Sequence, residues 1–130
     1  MDGILVPISP GELLDKITIL RIKAARIEDA GKLSNVRREL ELLEQNWRQA
    51  VSATAELAAD EAALARVNTE LWDIEDRIRE HEAQRRFDAS FIELARAVYL
   101  RNDERAAIKQ RINLKLNSAV VEEKSYQPYR

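Results

Sequence analysis

Apolar residues recur along most of the chain at alternating spacings of four and three, which is the period of an amphipathic α-helix. The pattern follows a short apolar segment and is interrupted three times by polar residues. It predicts four helices, at residues 10–28, 34–57, 60–85 and 89–117, with Asp88 as the cap of the last. The sequence therefore predicts an all-α fold, an antiparallel bundle of about four helices in a single domain of residues 1–130.

The first helix has the clearest start signal. Ser9 is suited to cap it, Pro10 takes the first helical position, and Glu12 completes a capping box. Its apolar residues fall on more than one face: Leu13, Leu14, Ile17, Ile19, Leu20 and Ile22. Such a helix must be covered on several sides, so we expect it to be central in the bundle or shared with a second subunit.

The border between the second and third helices is weakly marked, and the two are either separate or continuous. The apolar seam of the second helix is Val36, Leu40, Leu43, Trp47, Ala50, Thr54 and Leu57. Continuing its phase would turn Glu61, Asn68 and Glu75 inward. A fresh start capped by Asp60 instead gives an apolar seam of Leu64, Val67, Leu71, Ile74 and Ile78. Because burying unpaired carboxylates is costly, we favour a break.

The two ends of the chain are extended in character. Residues 1–8 form an apolar lead-in in which Pro7 permits at most an edge strand. Residues 119–130 begin with β-branched side chains and become polar. The two segments are candidates for a minor β-pair, and a disordered tail is the alternative.

Composition excludes several classes of function. Charged residues make up 34% of the chain, the formal net charge is -2, and there is no cysteine. Disulfides, thiolate metal sites and thiol catalysis are therefore absent. The start of the chain lacks the features of a signal peptide, and no apolar run approaches the roughly 20 residues of a membrane helix. We expect a soluble cytoplasmic protein.

Charge is distributed unevenly between the last two helices. Residues 56–82 carry nine acidic and three basic side chains, whereas residues 96–115 carry six basic and two acidic ones. An acidic helix beside a basic one favours an antiparallel hairpin. Exposed pairs contribute only about 0–1 kcal/mol each, so they would select partners more than they would stabilise them.

A polar interruption in the fourth helix is the main candidate for a site. Asn102 and Arg105 occupy core-phase positions, and buried polar groups must be hydrogen-bonded. Candidate members of a cluster with the third helix are Trp72, Glu75, Asp76, Arg101, Asn102 and Arg105. The cluster is a network that fixes helix register, a site for a small carboxylate or phosphate, or a group of solvated side chains.

Asp15 and Lys16 are secondary candidates because they interrupt the apolar first helix. The simpler interpretation is an ion pair between Glu12 and Lys16 with Asp15 in solvent. The single His81 lies one turn from Arg77 and from Arg85, which repel a cation, so we expect a surface histidine with no metal and no other cofactor.

Nucleic acid is a less favoured partner. Arg101, Arg105 and Lys109 recur every four residues and could follow a phosphate backbone. However, Asp103 and Glu104 interrupt that ridge, and no aromatic side chains alternate with it for base stacking.

Four segments together resemble a known family. They are residues 9–20 (SPGELLDKITIL), 71–76 (LWDIED), 101–109 (RNDERAAIK) and 122–126 (EEKSY). The chain is similar over nearly its whole length to a family of short bacterial proteins of unknown function, DUF6165. The resemblance implies a stand-alone helical protein from a bacterium and implies no particular activity.

Two functional hypotheses follow. The first is a non-enzymatic helical interaction protein that forms a homo-oligomer, most simply a dimer, because its first helix is apolar on several sides. The alternative is a binding protein or enzyme for a small carboxylate or phosphate, with its ligand in a polar pocket between helices. The sequence does not decide whether the protein is an enzyme.

Overall fold

A computed structural model describes residues 1–53 and 55–129 of the chain. It contains four helices: α1 (Pro10–Arg26), α2 (Ala30–Ala50), α3 (Ala58–Ala83) and α4 (Ala89–Lys115). The predicted all-α fold of four helices is therefore confirmed. No strand occurs in these two ranges, so the minor β-pair expected from the termini is not formed.

Helix α1 is central. It packs against α2 on one side and against the α3–α4 hairpin on the other, which explains why its apolar residues lie on several faces. Of the two expected arrangements, the structure shows the first: α1 is central, and other helices of the same chain cover its apolar faces. The core joins α1, α3 and α4 through Leu14, Leu57, Leu64, Val67, Leu71, Ile108 and Ile112. No described helix is both long enough and apolar enough to cross a membrane.

The borders of α2 and α3 differ from the prediction. The N-cap of α2 is Asp29, whose carboxylate accepts a hydrogen bond from the backbone N–H of Lys32 at 2.8 Å, so the helix begins before Ser34. It ends at Ala50, well before residue 57. The predicted break before α3 is confirmed, although Asp60 is its third residue and not its cap. Thr54, assigned to the seam of α2, lies outside the described residues.

The α3–α4 hairpin is longer than the helix that packs on it. At about 1.5 Å per residue, the 17 residues of α1 span about 25 Å, whereas the 26 and 27 residues of α3 and α4 span about 40 Å each. The last residue of α1, Arg26, pairs with Asp73 of α3. We call residues 74–100, which lie beyond this contact, the distal hairpin.

The turn of the distal hairpin is tight. The backbone N–H of Arg86 donates to the carbonyl of His81 at 2.9 Å, and Asp88 caps α4 as the sequence predicts. The expectation for His81 was wrong, because its ring is buried and its Nδ1 lies 2.8 Å from the carbonyl oxygen of Arg77.

Ion pairs join α3 to α4, in agreement with the expected pairing of an acidic and a basic helix. Asp60 contacts Lys115 at 2.7 Å and Arg111 at 3.3 Å, and Glu70 contacts Arg101 at 3.0 Å. Asp60 differs from the others because it is buried. Burial alone would raise the pKa of Asp60, but the hydrogen bonds from Lys115 and Arg111 hold that pKa below its ordinary value of 3.8.

We expect Asp60 to make stability depend on acid pH. A carboxyl group with a depressed pKa stabilises the fold above its unfolded pKa, and the contribution is lost as pH falls through the folded pKa. Asp60→Asn should lower the free energy of unfolding by about 1 kcal/mol near neutral pH, and by less below about pH 3. Urea unfolding at both pH values measures this, with the exposed Asp76→Asn as control. An equal deficit at both pH values would contradict the assignment.

Gly11 allows α1 to approach α4 closely. Its backbone N–H donates to Asn113 Oδ1 at 2.8 Å. A Cβ at this position would lie 2.5 Å from the carbonyl oxygen of Lys109 and 2.9 Å from Asn113 Oδ1. Because one of these atoms belongs to the backbone of a helix, the contact is relieved only by moving α1 away from α4.

Gly11→Ala should therefore lower the free energy of unfolding by about 2 kcal/mol, measured by urea denaturation. Gly31→Ala is the matched control, because the nearest atom to a Cβ there is 3.4 Å away. Alanine forms helices better than glycine, so the control should gain about 0.5 kcal/mol. A gain from both substitutions would show that α1 and α4 are not in tight contact at Gly11.

Candidate functional site

Polar side chains fill the space between the first half of α1 and its two neighbours, α3 and α4. Asp15, Thr18, Asn68, Lys109 and Asn113 are all buried there. As residue numbers rise along α1 they fall along α4, so the contacts form in steps: Gly11 with Asn113, Glu12 with Lys109, and Asp15 with Arg105. We call Glu12, Asp15, Thr18, Asn68, Arg105, Lys109 and Asn113 the polar layer.

The centre of the polar layer is the amide of Asn68. Its Nδ2 donates to Asp15 Oδ1 and to Thr18 Oγ1, both at 2.9 Å. The Thr18 hydroxyl donates its own proton to the backbone carbonyl of Asp15 at 2.7 Å. Because an ionised Asp15 can only accept and the Thr18 proton is already used, the amide nitrogen of Asn68 must face them.

This orientation leaves the other half of the amide without a partner. Asn68 is only 5% exposed, and its Oδ1 is buried with no hydrogen-bond donor among the described residues. An unpaired buried acceptor costs about 1–3 kcal/mol. Such groups are rare in folded proteins and point to strain, bound water or a ligand.

Arg105 supplies positive charge to this centre. Its Nε lies 3.8 Å from Asp15 Oδ1, close enough to offset the buried negative charge but beyond hydrogen-bonding distance. The side chain is half-buried, and within the described part of the chain its guanidinium donates no hydrogen bond. Arg105 therefore keeps its donors available for an anion.

A groove of about 290 Å³ lies between α1, α3 and α4 beside Arg105. Asn68 belongs to its wall, although the unpaired Oδ1 of that residue is itself buried. One basic and two acidic side chains accompany a larger apolar surface. The lining residues are Ile19, Ile22, Asn68, Leu71, Trp72, Glu75, Asp76 and Arg105.

Four of the six residues predicted from the sequence line this groove, namely Trp72, Glu75, Asp76 and Arg105. The other two do not belong to its wall. Arg101 pairs with Glu70 at 3.0 Å and also with Glu104. Asn102 is half-buried outside the groove.

Within the described chain, the side chains of the six residues predicted as a polar cluster do not form hydrogen bonds with one another. The guanidinium carbon of Arg26 lies 5.9 Å from the centre of the Trp72 ring, and Glu75 approaches Arg79 at 3.9 Å. Among the described residues, no hydrogen bond joins Trp72, Glu75 or Asp76 to Arg105. The arrangement is an open groove with an uncommitted arginine and not a closed hydrogen-bonded network.

The secondary candidates have different environments. Lys16 is exposed and lies 3.8 Å from Glu12, which is the expected ion pair. The simpler interpretation placed Asp15 in solvent, but Asp15 is buried and accepts a hydrogen bond from Asn68. The first turns of α1 face inward because Gly11 brings them against α4.

Lys109 forms the second charged centre of the polar layer. Its Nζ lies 2.6 Å from Glu12 and 2.7 Å from Glu122 of the C-terminal tail. Burial alone would lower the pKa of Lys109, but the two carboxylates raise it above its ordinary value. The hydrogen bond from Lys109 lowers the pKa of Glu122. The positive charge of Lys109 is therefore offset by two carboxylates and its side chain is buried, so Lys109 does not extend an exposed basic ridge from Arg101.

The tail returns along α4 beyond this ion pair. The rings of Tyr129 and Tyr99 are 5.0 Å apart in an edge-to-face arrangement, and the Tyr129 hydroxyl donates to Asp103. Glu122 thus holds the middle of the tail and Tyr129 holds its end. Neither side chain lines the groove beside Arg105.

Thr18, Lys109 and Asn113 were not predicted as site residues. One signal for them was present, since Arg101, Arg105, Lys109 and Asn113 recur every four residues next to the apolar seam of α4. A row in that position lies at the edge of the core, where long side chains are partly buried. Within the described ranges, no three His, Asp or Glu side chains form a metal-binding group.

Comparison with known proteins identifies a family and gives no activity. The model of a family of unknown function, DUF6165, matches residues 4–129. A comparison with curated proteins and another with solved structures gave no match. The match includes all four helices, the polar layer and the groove, and the chain belongs to the DUF6165 family.

Proposed function

We propose that the protein is a non-enzymatic interaction protein that associates with a second copy of itself through the distal hairpin. The observation that carries the proposal is an apolar seam that only one partner helix covers. Four seam residues remain half-exposed there: Ile74, Ile78, Phe91 and Val98. Phe87 and Ile92 are 53% and 57% exposed in the same region.

The short length of α1 explains the exposed seam. Where α1 packs on the hairpin, a third helix covers the seam and residues such as Leu64 and Ile112 are buried completely. Beyond the contact between Arg26 and Asp73, no third helix of the described chain packs on the hairpin, although the tail reaches α4 there through Tyr129 and Tyr99. A second distal hairpin would complete a four-helix bundle, the usual way to bury such a seam.

Charge permits this pairing. Residues 74–100 carry six acidic and five basic side chains, so two copies would meet with little net repulsion. In a two-fold symmetric bundle the acidic distal part of α3 in one copy can lie beside the distal part of α4 in the other, which is neutral because it carries only Glu93 and Arg96. The distal part of each helix has only about three turns, so the interface is small and we expect micromolar affinity.

Sedimentation velocity from about 1 to 500 μM tests the proposal, a range that spans micromolar dissociation constants. The wild type should shift from the 14.9 kDa monomer to twice that mass. The double variant Phe87→Glu/Ile92→Glu should remain a monomer, because burying two new carboxylates in the interface is costly. Both positions are exposed, so circular dichroism should show an unchanged helix content.

Leu42→Glu is the matched control. Leu42 is 52% exposed but lies on α2, away from the distal hairpin. This variant should dimerise like the wild type. A wild-type protein that stays monomeric over the whole range would contradict the proposal. Equal dimerisation of the double variant would also contradict it.

A further inference from the structure

The groove beside Arg105 has features that self-association does not use. Two of its lining residues, Glu75 and Asp76, lie on the distal hairpin, but none is one of the apolar residues proposed for the dimer surface, namely Ile74, Ile78, Phe87, Phe91, Ile92 and Val98. Its most unusual feature is the buried Asn68 amide with an unpaired Oδ1. We propose that the groove binds a free α-amino acid with an apolar side chain, and that Arg105, Asn68 and the acidic rim recognise its polar end.

Arg105 is suited to the carboxylate of such a ligand. A guanidinium presents several N–H donors in a planar fork that matches a carboxylate. Asp15 lies 3.8 Å from Arg105 and already accepts a hydrogen bond from Asn68, while Glu122 of the tail attracts Arg105 without a hydrogen bond. Turning Arg105 toward a ligand therefore breaks no existing hydrogen bond.

Asn68 is suited to the ammonium group. Its Oδ1 needs a donor, and the orientation of the amide is fixed by Asp15 and Thr18 on the other side. The atom is closed to bulk water in the free chain, so a ligand must displace a groove side chain to reach it. Arg105 donates no hydrogen bond that such a movement would break, and once it turns to the ligand's carboxylate the ligand's ammonium group takes over the offset of the Asp15 charge.

The rim of the groove adds selectivity by charge. Glu75 and Asp76 are exposed there and favour a ligand with a positive group next to its carboxylate. The lining carries two acids and one base, and Arg79, 3.9 Å from Glu75, and Arg26, over the Trp72 ring, flank it, so the groove has little net charge and favours a zwitterion over a phosphate dianion. This separates a zwitterion from a plain anion, which Arg105 alone would not do.

The remainder of the groove is apolar. Ile19, Ile22, Leu71 and the Trp72 ring form the larger part of its surface, a suitable contact for an aliphatic or aromatic side chain. The volume of about 290 Å³ lies at the lower end of ligand pockets. It therefore fits a single amino acid better than a peptide or a nucleotide.

Isothermal titration calorimetry of the full chain tests the ligand class. L-phenylalanine, L-leucine, 3-phenylpropionate, phenethylamine and inorganic phosphate are the probes. We expect at least one of the two amino acids to bind. The phenylalanine analogues that lack either the ammonium or the carboxylate should bind at least about tenfold more weakly. No binding by either amino acid, or equal binding by 3-phenylpropionate and phenylalanine, would overturn the proposal.

Variants of α4 test the site itself. Arg105→Met should weaken amino-acid binding by at least about tenfold. Arg101→Met is the matched control, since it removes a cation one turn away that pairs with Glu70 outside the groove. That control should change the affinity less than about twofold. Equal effects of both variants would show that binding occurs elsewhere.

The exposed rim provides a second test that does not depend on the stability of the polar layer. Glu75→Gln/Asp76→Asn should reduce the preference for phenylalanine over 3-phenylpropionate by several-fold, because it removes the charge that attracts the ammonium. An unchanged preference would overturn the role of the rim. Glu75 and Asp76 also belong to the distal hairpin, so sedimentation velocity of the rim and Arg105 variants at the titration concentrations separates an effect on binding from an effect on dimer formation.

Discussion

Burial of the Asp15 carboxylate inside a helical core is the constraint on which this structure depends. A carboxylate in that position must be hydrogen-bonded and its charge offset. Asn68 of α3 supplies two amide N–H groups to Asp15 and Thr18, and Arg105 of α4 supplies the charge. Both partners lie on the hairpin, so α1 can satisfy Asp15 only by crossing both helices at this level.

The shape of the molecule follows from that crossing. With its first turns held against α4 through Gly11, the 17-residue α1 ends beside Asp73, about midway along the longer hairpin. The hairpin beyond Asp73 keeps a seam that is covered on one side. The amide that binds Asp15 belongs to a residue of the groove wall, and its own Oδ1 is buried without a partner among the described residues. The proposed dimer surface and the proposed ligand site are thus two consequences of one packing arrangement.

Local signals predicted the helices well where a helix end is fixed by its own residues. Ser9 and Asp88 cap α1 and α4 as expected, because a polar cap followed by an apolar period needs no tertiary information. The start of α2 was misplaced, since Asp29 and Ser34 are both acceptable caps and the choice depends on packing against α1. Local sequence does not contain that information.

The site was predicted in part for a similar reason. Polar residues at core-phase positions of α4 indicated Arg105, and helical spacing indicated the facing side of α3 with Trp72 and Glu75. Asp15 appeared solvated because it follows a cap in a turn where acids are usually exposed. Its burial results from the close approach at Gly11, which depends on the position of α4.

A double-mutant cycle between Asp15 and Asn68 tests this account most directly. The free energy of unfolding in urea would be measured for the wild type, Asp15→Ala, Asn68→Ala and the double variant. The account predicts a coupling free energy of at least about 1.5 kcal/mol, as for a buried hydrogen bond to a charged group. Effects that add within about 0.5 kcal/mol would contradict it, because the two side chains would then not depend on each other.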